Sequence, residues 1–209
     1  MRKMTKSKIN IALNVFIVLS VAYSLLVSYQ NNSGLTLGRW HDLLYFTYQS
    51  NVWIAAVALC ELLFGGFRRQ DSLLKRTVKL VFTSSIALTG VVYCAVLAPY
   101  DGFRYTLDCL SLHVLVPLVA VLSWCFTSGE VRMSFLSVLW TLIPPFCYFL
   151  FSTCGYICDW QFSEGCNYPY FFMNWGEAVW WVPVWFVVVG LLLSAIAIVL
   201  VWLNNRKTE

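Results

Sequence analysis

Tyr45-Phe46-Thr47-Tyr48-Gln49-Ser50-Asn51 lies within the otherwise apolar run 41–64, and its reading decides the fold. Uncharged polar side chains are costly in hydrocarbon, so a helix carrying several of them needs neighbours to cover them. At helical spacing Thr47, Ser50 and Asn51 share one face, at i, i+3 and i+4, while Gln49 points elsewhere. One polar stripe on an apolar helix is the mark of a helix inside a bundle.

Five further stretches are long enough to cross a hydrocarbon core, which takes roughly 20 helical residues. The six predicted helices run over 9–29, 41–64, 77–98, 108–127, 133–153 and 178–203. A long outer loop spans 154–177, and no stretch outside the apolar runs could build a separate core. The 209 residues are 60% hydrophobic and only 11% charged, which excludes a water-soluble globule. The fold class is all-α, one polytopic domain of six transmembrane helices. The first apolar run is too long for a cleaved signal and lacks a small-residue cleavage site, so it reads as a retained helix.

Charge gives the orientation. Twelve of the fourteen Lys/Arg fall at the N-terminus, in 65–79, at Arg132 and at the C-terminus, while only Arg39 and Arg104 fall on the opposite side. Positive charge stays cytoplasmic, so both termini are expected inside. The net charge of +4 follows the membrane and is no nucleic-acid signal. The eight cysteines hold no Cys-x-x-Cys and have only His41 and His113 as company, so neither a metal nor any other cofactor is expected. An extracytoplasmic loop permits a disulfide among Cys109, Cys154, Cys158 and Cys166, with the pairing open.

Three prolines point to polar openings in the bundle. Pro117 removes the hydrogen bond to the carbonyl of His113, and Pro144-Pro145 release those of Trp140 and Thr141. Such carbonyls must face protein or trapped water. With the second helix entering near residue 41, Thr47 lies roughly 9 Å below the outer boundary, and His113 roughly 7–8 Å below it. A threonine hydroxyl needs an adjacent base to become a nucleophile, and a low dielectric keeps histidine neutral and able to accept its proton. Thr47 and His113 are therefore the candidate catalytic pair. Asn51 and Ser50, or backbone amides near a loosened turn, are candidates for substrate or oxyanion contacts.

The heptapeptide, the His113-x-x-x-Pro117 pair and Tyr168-Pro169-Tyr170 before the last helix resemble a bacterial family of six-helix membrane proteins. That family is similar to the eukaryotic androgen-induced, FAR-17a-like (ADTRP-like) proteins. The resemblance implies an intramembrane threonine hydrolase of fatty acid esters of hydroxy fatty acids, with Thr47 as nucleophile and His113 as base. It also implies a bacterial cell membrane and a lipid-like substrate. Asn174 departs from it, standing where the bacterial pattern has an acidic residue.

Two other classes stay open. A small transporter or channel would use the same polar cavity, although His113 is the one ionisable group expected in the core. A non-catalytic lipid-binding or scaffold protein would use the aromatic outer loop, which otherwise reads as an interfacial belt. His41 reads as an interfacial residue and Glu61 as a boundary residue snorkelling to Arg68 or Arg69. Ser84, Ser85, Thr89 and Gly90 read as small-residue packing, and Asn14 as an interhelical hydrogen bond.

Overall fold

Six main helices follow one another in a computed structural model that describes residues 2–31, 36–64, 72–102, 106–127, 131–178 and 180–206. They are α1 (Arg2–Asn31), α2 (Phe46–Leu63), α3 (Leu73–Tyr100), α4 (Leu107–Thr127), α5 (Ser137–Ile157) and α6 (Trp181–Asn205). Among the described residues the regular structure is helical, with an isolated β-bridge between Ser163 and Cys166. Five helices are long and apolar enough to cross a membrane, and six if α2 is joined to the turn before it.

That turn is the main departure from a continuous helix over 41–64. Gly38–Leu44 forms a 3-10 segment, Tyr45 is extended (φ −89°, ψ 140°), and α2 leaves at 86° to the segment before it. No side chain caps the new helix. Thr47 is thus not in mid-helix but in the first turn of α2, inside the bundle.

α3 is the central helix. It packs on α2, α4, α5 and α6, and 56% of its most apolar window is buried, against 22% for α1 and for α6. Gly90 makes its closest approach possible, because a Cβ there would lie 2.9 Å from Pro117 Cβ and 3.1 Å from the His113 carbonyl oxygen. The carbonyl released by Pro117 therefore faces α3. Both helices widen at this level, with π-helical turns at Tyr93–Leu97 and Ser111–Leu115. Such turns are frequent at functional sites. Pro144 and Pro145 stand at the start of the main part of α5, just after an irregular step at Leu142.

Along the helices, an apolar cluster of Ile17, Val21, Ile54, Ala58, Ile86, Val116 and Ala120 lies between two polar layers, with Thr83, Ser84 and Ser85 of α3 also buried between them. The inner layer corrects the expectation that His113 is the one ionisable group in the core. α3 begins at Leu73, earlier than residue 77, so Arg76 belongs to it together with Lys79, and both are buried. Lys79 Nζ pairs with Glu61 Oε1 at 2.7 Å and donates to Ser123 Oγ at 3.1 Å. Asn14 donates to Glu61 at 2.7 Å and Asn10 at 3.2 Å, so Asn14 makes the expected interhelical bond. Arg76 lies over the Trp124 ring at 3.8 Å and donates to Asn204 Oδ1 at 2.9 Å. Glu61 is therefore held by Lys79. Arg68 and Arg69, its expected partners, lie outside the described residues.

None of the eight cysteines is in a disulfide. The outer loop is more than a belt. Its 3-10 turn Phe171–Met173 sinks Phe172 and Met173 among Phe46, Leu88, Tyr148 and Leu193. Asn174, the departure noted in the sequence, closes the next turn by accepting from the Gly176 amide at 2.8 Å.

Breaking a buried ion pair leaves an uncompensated charge, which costs about 3–5 kcal/mol, whereas replacing both partners with apolar residues costs far less. Lys79→Met is expected to lower unfolding stability in detergent by about that amount, and Lys79→Met/Glu61→Leu by less. A double variant as unstable as the single one contradicts the pairing.

Candidate functional site

The first turn of a helix carries amides with no intrahelical acceptor. In α2 these belong to Phe46, Thr47 and Tyr48, because the Gln49 amide is the first to reach back, to the Tyr45 carbonyl at 3.2 Å. They also lie at the positive end of the helix dipole. A helix end normally meets water. Here the bend at Tyr45 brings it among apolar side chains, and Thr47 is 6% exposed.

Thr47 is on the wall of a cavity of about 80 Å³. The lining comes from α2 (Phe46), α3 (Leu88, Thr89, Val92), α5 (Pro145, Tyr148, Phe149), the outer loop (Tyr170, Phe172, Met173) and α6 (Val182, Trp185). Three lining residues, Pro145, Phe186 and Val189, also line a groove of about 450 Å³ between α5 and α6. The groove continues past Ile143, Phe146, Val187 and Leu191, all of them exposed on the outside of the bundle. The two spaces are thus adjacent, with Pro145, Phe186 and Val189 common to the walls of both.

Ser50 and Asn51 are beside Thr47, as their shared face requires, but their hydrogens are spent. Ser50 Oγ donates to the Thr47 carbonyl at 3.0 Å and contacts Thr89 Oγ1 at 2.8 Å. Asn51 Nδ2 donates to the Thr47 carbonyl at 2.7 Å and to the Leu112 carbonyl at 3.1 Å. Neither side chain has a hydrogen to spare for an oxyanion. Asn51 Oδ1 is buried without a partner, so the residue's remaining capacity is that of an acceptor. The role of Ser50 and Asn51 is to fix the first turn of α2 and tie it to α4.

The Asn51–Leu112 bond also shows that α2 and α4 are neighbours at this level, which periodicity could not give. His113 follows Leu112 on α4. Its ring stacks on Tyr93 with centroids 3.9 Å apart, and Nδ1 donates to the Cys109 carbonyl at 2.9 Å. That bond puts the proton on Nδ1 and leaves the lone pair on Nε2. Cys109 Sγ sits 3.2 Å from the Tyr93 hydroxyl, in the bundle and not with the loop cysteines. His113 is not among the residues lining the Thr47 cavity; it belongs to the adjoining pair of widened turns.

His41 is covered by the protein and not exposed at a helix entrance. It is 3% exposed, and its Nε2 donates to the Phe162 carbonyl at 2.7 Å. The Tyr45 hydroxyl donates to the same carbonyl. The residue at the bend and the one four before it thereby hold the outer loop down. His41 Nδ1 is left as a buried acceptor.

Two tyrosines complete the site and were missed as functional candidates. The Thr47 amide donates to the Tyr170 hydroxyl at 3.4 Å, and the Tyr170 ring neighbours that of Tyr148 with centroids 6.3 Å apart. Tyr148 donates to the Leu44 carbonyl at 3.1 Å. Burial holds the Tyr170 phenol above its ordinary range, so it stays protonated. Tyr170 lies within the quoted Tyr168-Pro169-Tyr170, a signal that marked the segment without giving a role. Tyr148 had no such signal.

No model of a known protein family, no curated protein and no solved structure matches this chain.

The two histidines are expected in opposite tautomers, Nδ1–H at His113 and Nε2–H at His41. Nitrogen NMR of protein labelled in histidine reports both, and His41→Gln assigns the signals. Two Nε2–H rings contradict the geometry at His113.

Proposed function

We propose that the protein is an intramembrane hydrolase of lipid esters, with Thr47 as nucleophile and His113 as base. The observation that carries this reading is Thr47 itself: a hydroxyl in the first turn of a buried helix, beside amides without intrahelical acceptors, on the wall of an apolar cavity. A nucleophile next to oriented donors in a low-dielectric site is what acyl transfer requires, since its transition state develops charge on the carbonyl oxygen. The resemblance to threonine hydrolases of fatty acid esters of hydroxy fatty acids, carried by the Thr47 heptapeptide and His113-x-x-x-Pro117, points to the same chemistry.

In this reading His113 takes the Thr47 proton as Oγ1 adds to the ester carbonyl, and returns it to the leaving alkoxide. Water then repeats the sequence on the acyl-enzyme. The Nδ1–H bond to the Cys109 carbonyl supports the base role, because it leaves Nε2 as the basic nitrogen. The acyl chain enters from the bilayer through the α5–α6 groove, whose lining is almost wholly apolar. The resemblance implies a bacterial cell membrane; the five or six apolar helices support a membrane placement, and the bias of Lys and Arg supports cytoplasmic termini.

Purified protein in micelles is expected to hydrolyse p-nitrophenyl decanoate and to react with a fluorophosphonate at Thr47. Thr47→Ala is expected to lose hydrolysis by on the order of 10³-fold or more, while Thr47→Ser keeps part of it. Equal labelling and hydrolysis in Thr47→Ala overturn the assignment.

The groove gives a separate expectation. A Cβ at Gly190, which lines the groove, meets nothing within 4 Å, so a side chain added there starts in open space. Gly190→Trp is expected to raise KM for the decanoate roughly tenfold, the equivalent of about two methylenes at about 0.8 kcal/mol each. Labelling by a short fluorophosphonate should stay unchanged. An unchanged KM rules out this route.

A further inference from the structure

Ser50 and Asn51 have no hydrogen to give, so an oxyanion formed at Thr47 must find its donors elsewhere. The Thr47 amide is one. It ends on the Tyr170 hydroxyl at 3.4 Å, longer than the usual 2.9–3.0 Å and therefore easily displaced. We propose that the Tyr170 hydroxyl is a catalytic group, donating to the oxyanion that develops when Thr47 Oγ1 adds to an ester carbonyl. This inference rests on the hydrolase reading above.

The position of the phenol is fixed from three sides. Its ring stacks on Phe172 with centroids 5.2 Å apart and meets Tyr45 edge-on at 6.0 Å. Its ring neighbours that of Tyr148, with centroids 6.3 Å apart, and the Tyr148 hydrogen is committed to the Leu44 carbonyl at 3.1 Å. The Thr47 amide bond to the same Tyr170 hydroxyl places the phenol beside the residue that carries the reacting atom.

The chemistry follows from this placement. As the Oγ1–carbon bond forms, the carbonyl π pair moves onto oxygen and the Thr47 proton passes to His113. Donors about 3.4 Å apart can each lie about 2.9 Å from one oxygen, so the Thr47 N–H and the Tyr170 O–H can bind that oxygen together. Collapse restores the carbonyl, breaks the bond to the alkoxide and returns the proton from His113 to it. Water addition to the acyl-enzyme uses the same donors and ends with free acid and regenerated Thr47. Tyr170 keeps its proton throughout and acts by hydrogen bonding alone.

Tyr170→Phe retains the ring and removes only the hydroxyl. Its kcat for p-nitrophenyl decanoate and its rate of fluorophosphonate labelling at Thr47 should fall about 10²–10³-fold, with KM and melting temperature near wild type. Wild-type kcat, or a loss confined to KM or to stability, overturns the proposal while leaving Thr47 as nucleophile. Activity that survives Thr47→Ala instead overturns the hydrolase reading, and Tyr170 with it. Should Tyr170→Phe fail to fold, 3,5-difluorotyrosine at position 170 provides the test. Its more acidic hydroxyl should add a descending alkaline limb to the kcat–pH profile; an unchanged profile overturns the proposal.

Discussion

The structure depends on the bend at Tyr45. A helix beginning there, and not four residues earlier at the surface, puts three amides without intrahelical acceptors into a region where water cannot solvate them. Buried polar groups of this kind require partners, so the bend constrains everything around it. Tyr170 takes the Thr47 amide, Tyr148 takes the Leu44 carbonyl just before the bend, and His41 and Tyr45 bind the loop at Phe162. The outer loop, α5 and the start of α2 thus form one polar assembly with Thr47 at its centre.

The separation of polar layers explains how such a site can exist in a small bundle. The outer layer holds Thr47, Ser50, Asn51, Thr89 and His113; the inner one holds Glu61, Lys79, Arg76 and Ser123. Between them along α1–α4 lies the apolar cluster around Ile54 and Ile86. The inner layer ties α1, α2, α3, α4 and α6 together, and so holds the frame against which α2 bends.

Much of the frame was legible in the sequence, because apolar length and polar spacing are local properties. Five of the six apolar helices, and the common face of Thr47, Ser50 and Asn51, follow from them directly. The bend does not, since 41–64 contains neither proline nor glycine and its pattern continues through Tyr45. What breaks the helix there is contact with residues more than a hundred positions away, Phe162 and Tyr148 among them. Lys79 was misread for a related reason: a cation near a basic connection looks like part of it, and its partner Glu61 is on another helix. His41 looked interfacial because its neighbours Arg39, Trp40 and Asp42 are polar or amphipathic, while the loop that buries it is remote in sequence. The donor role of Asn51 failed on a count of hydrogens that only the packed structure supplies.

The central claim is that Thr47 carries an acyl group during turnover. Protein mixed with a long-chain ester, quenched in acid within the first turnovers and digested, can be read by peptide mass spectrometry. The account predicts the mass of the acyl group on the peptide containing Thr47, with fragmentation placing it on that residue. Turnover that leaves the Thr47 peptide unmodified, or that puts the acyl group on a cysteine or serine elsewhere, would contradict it.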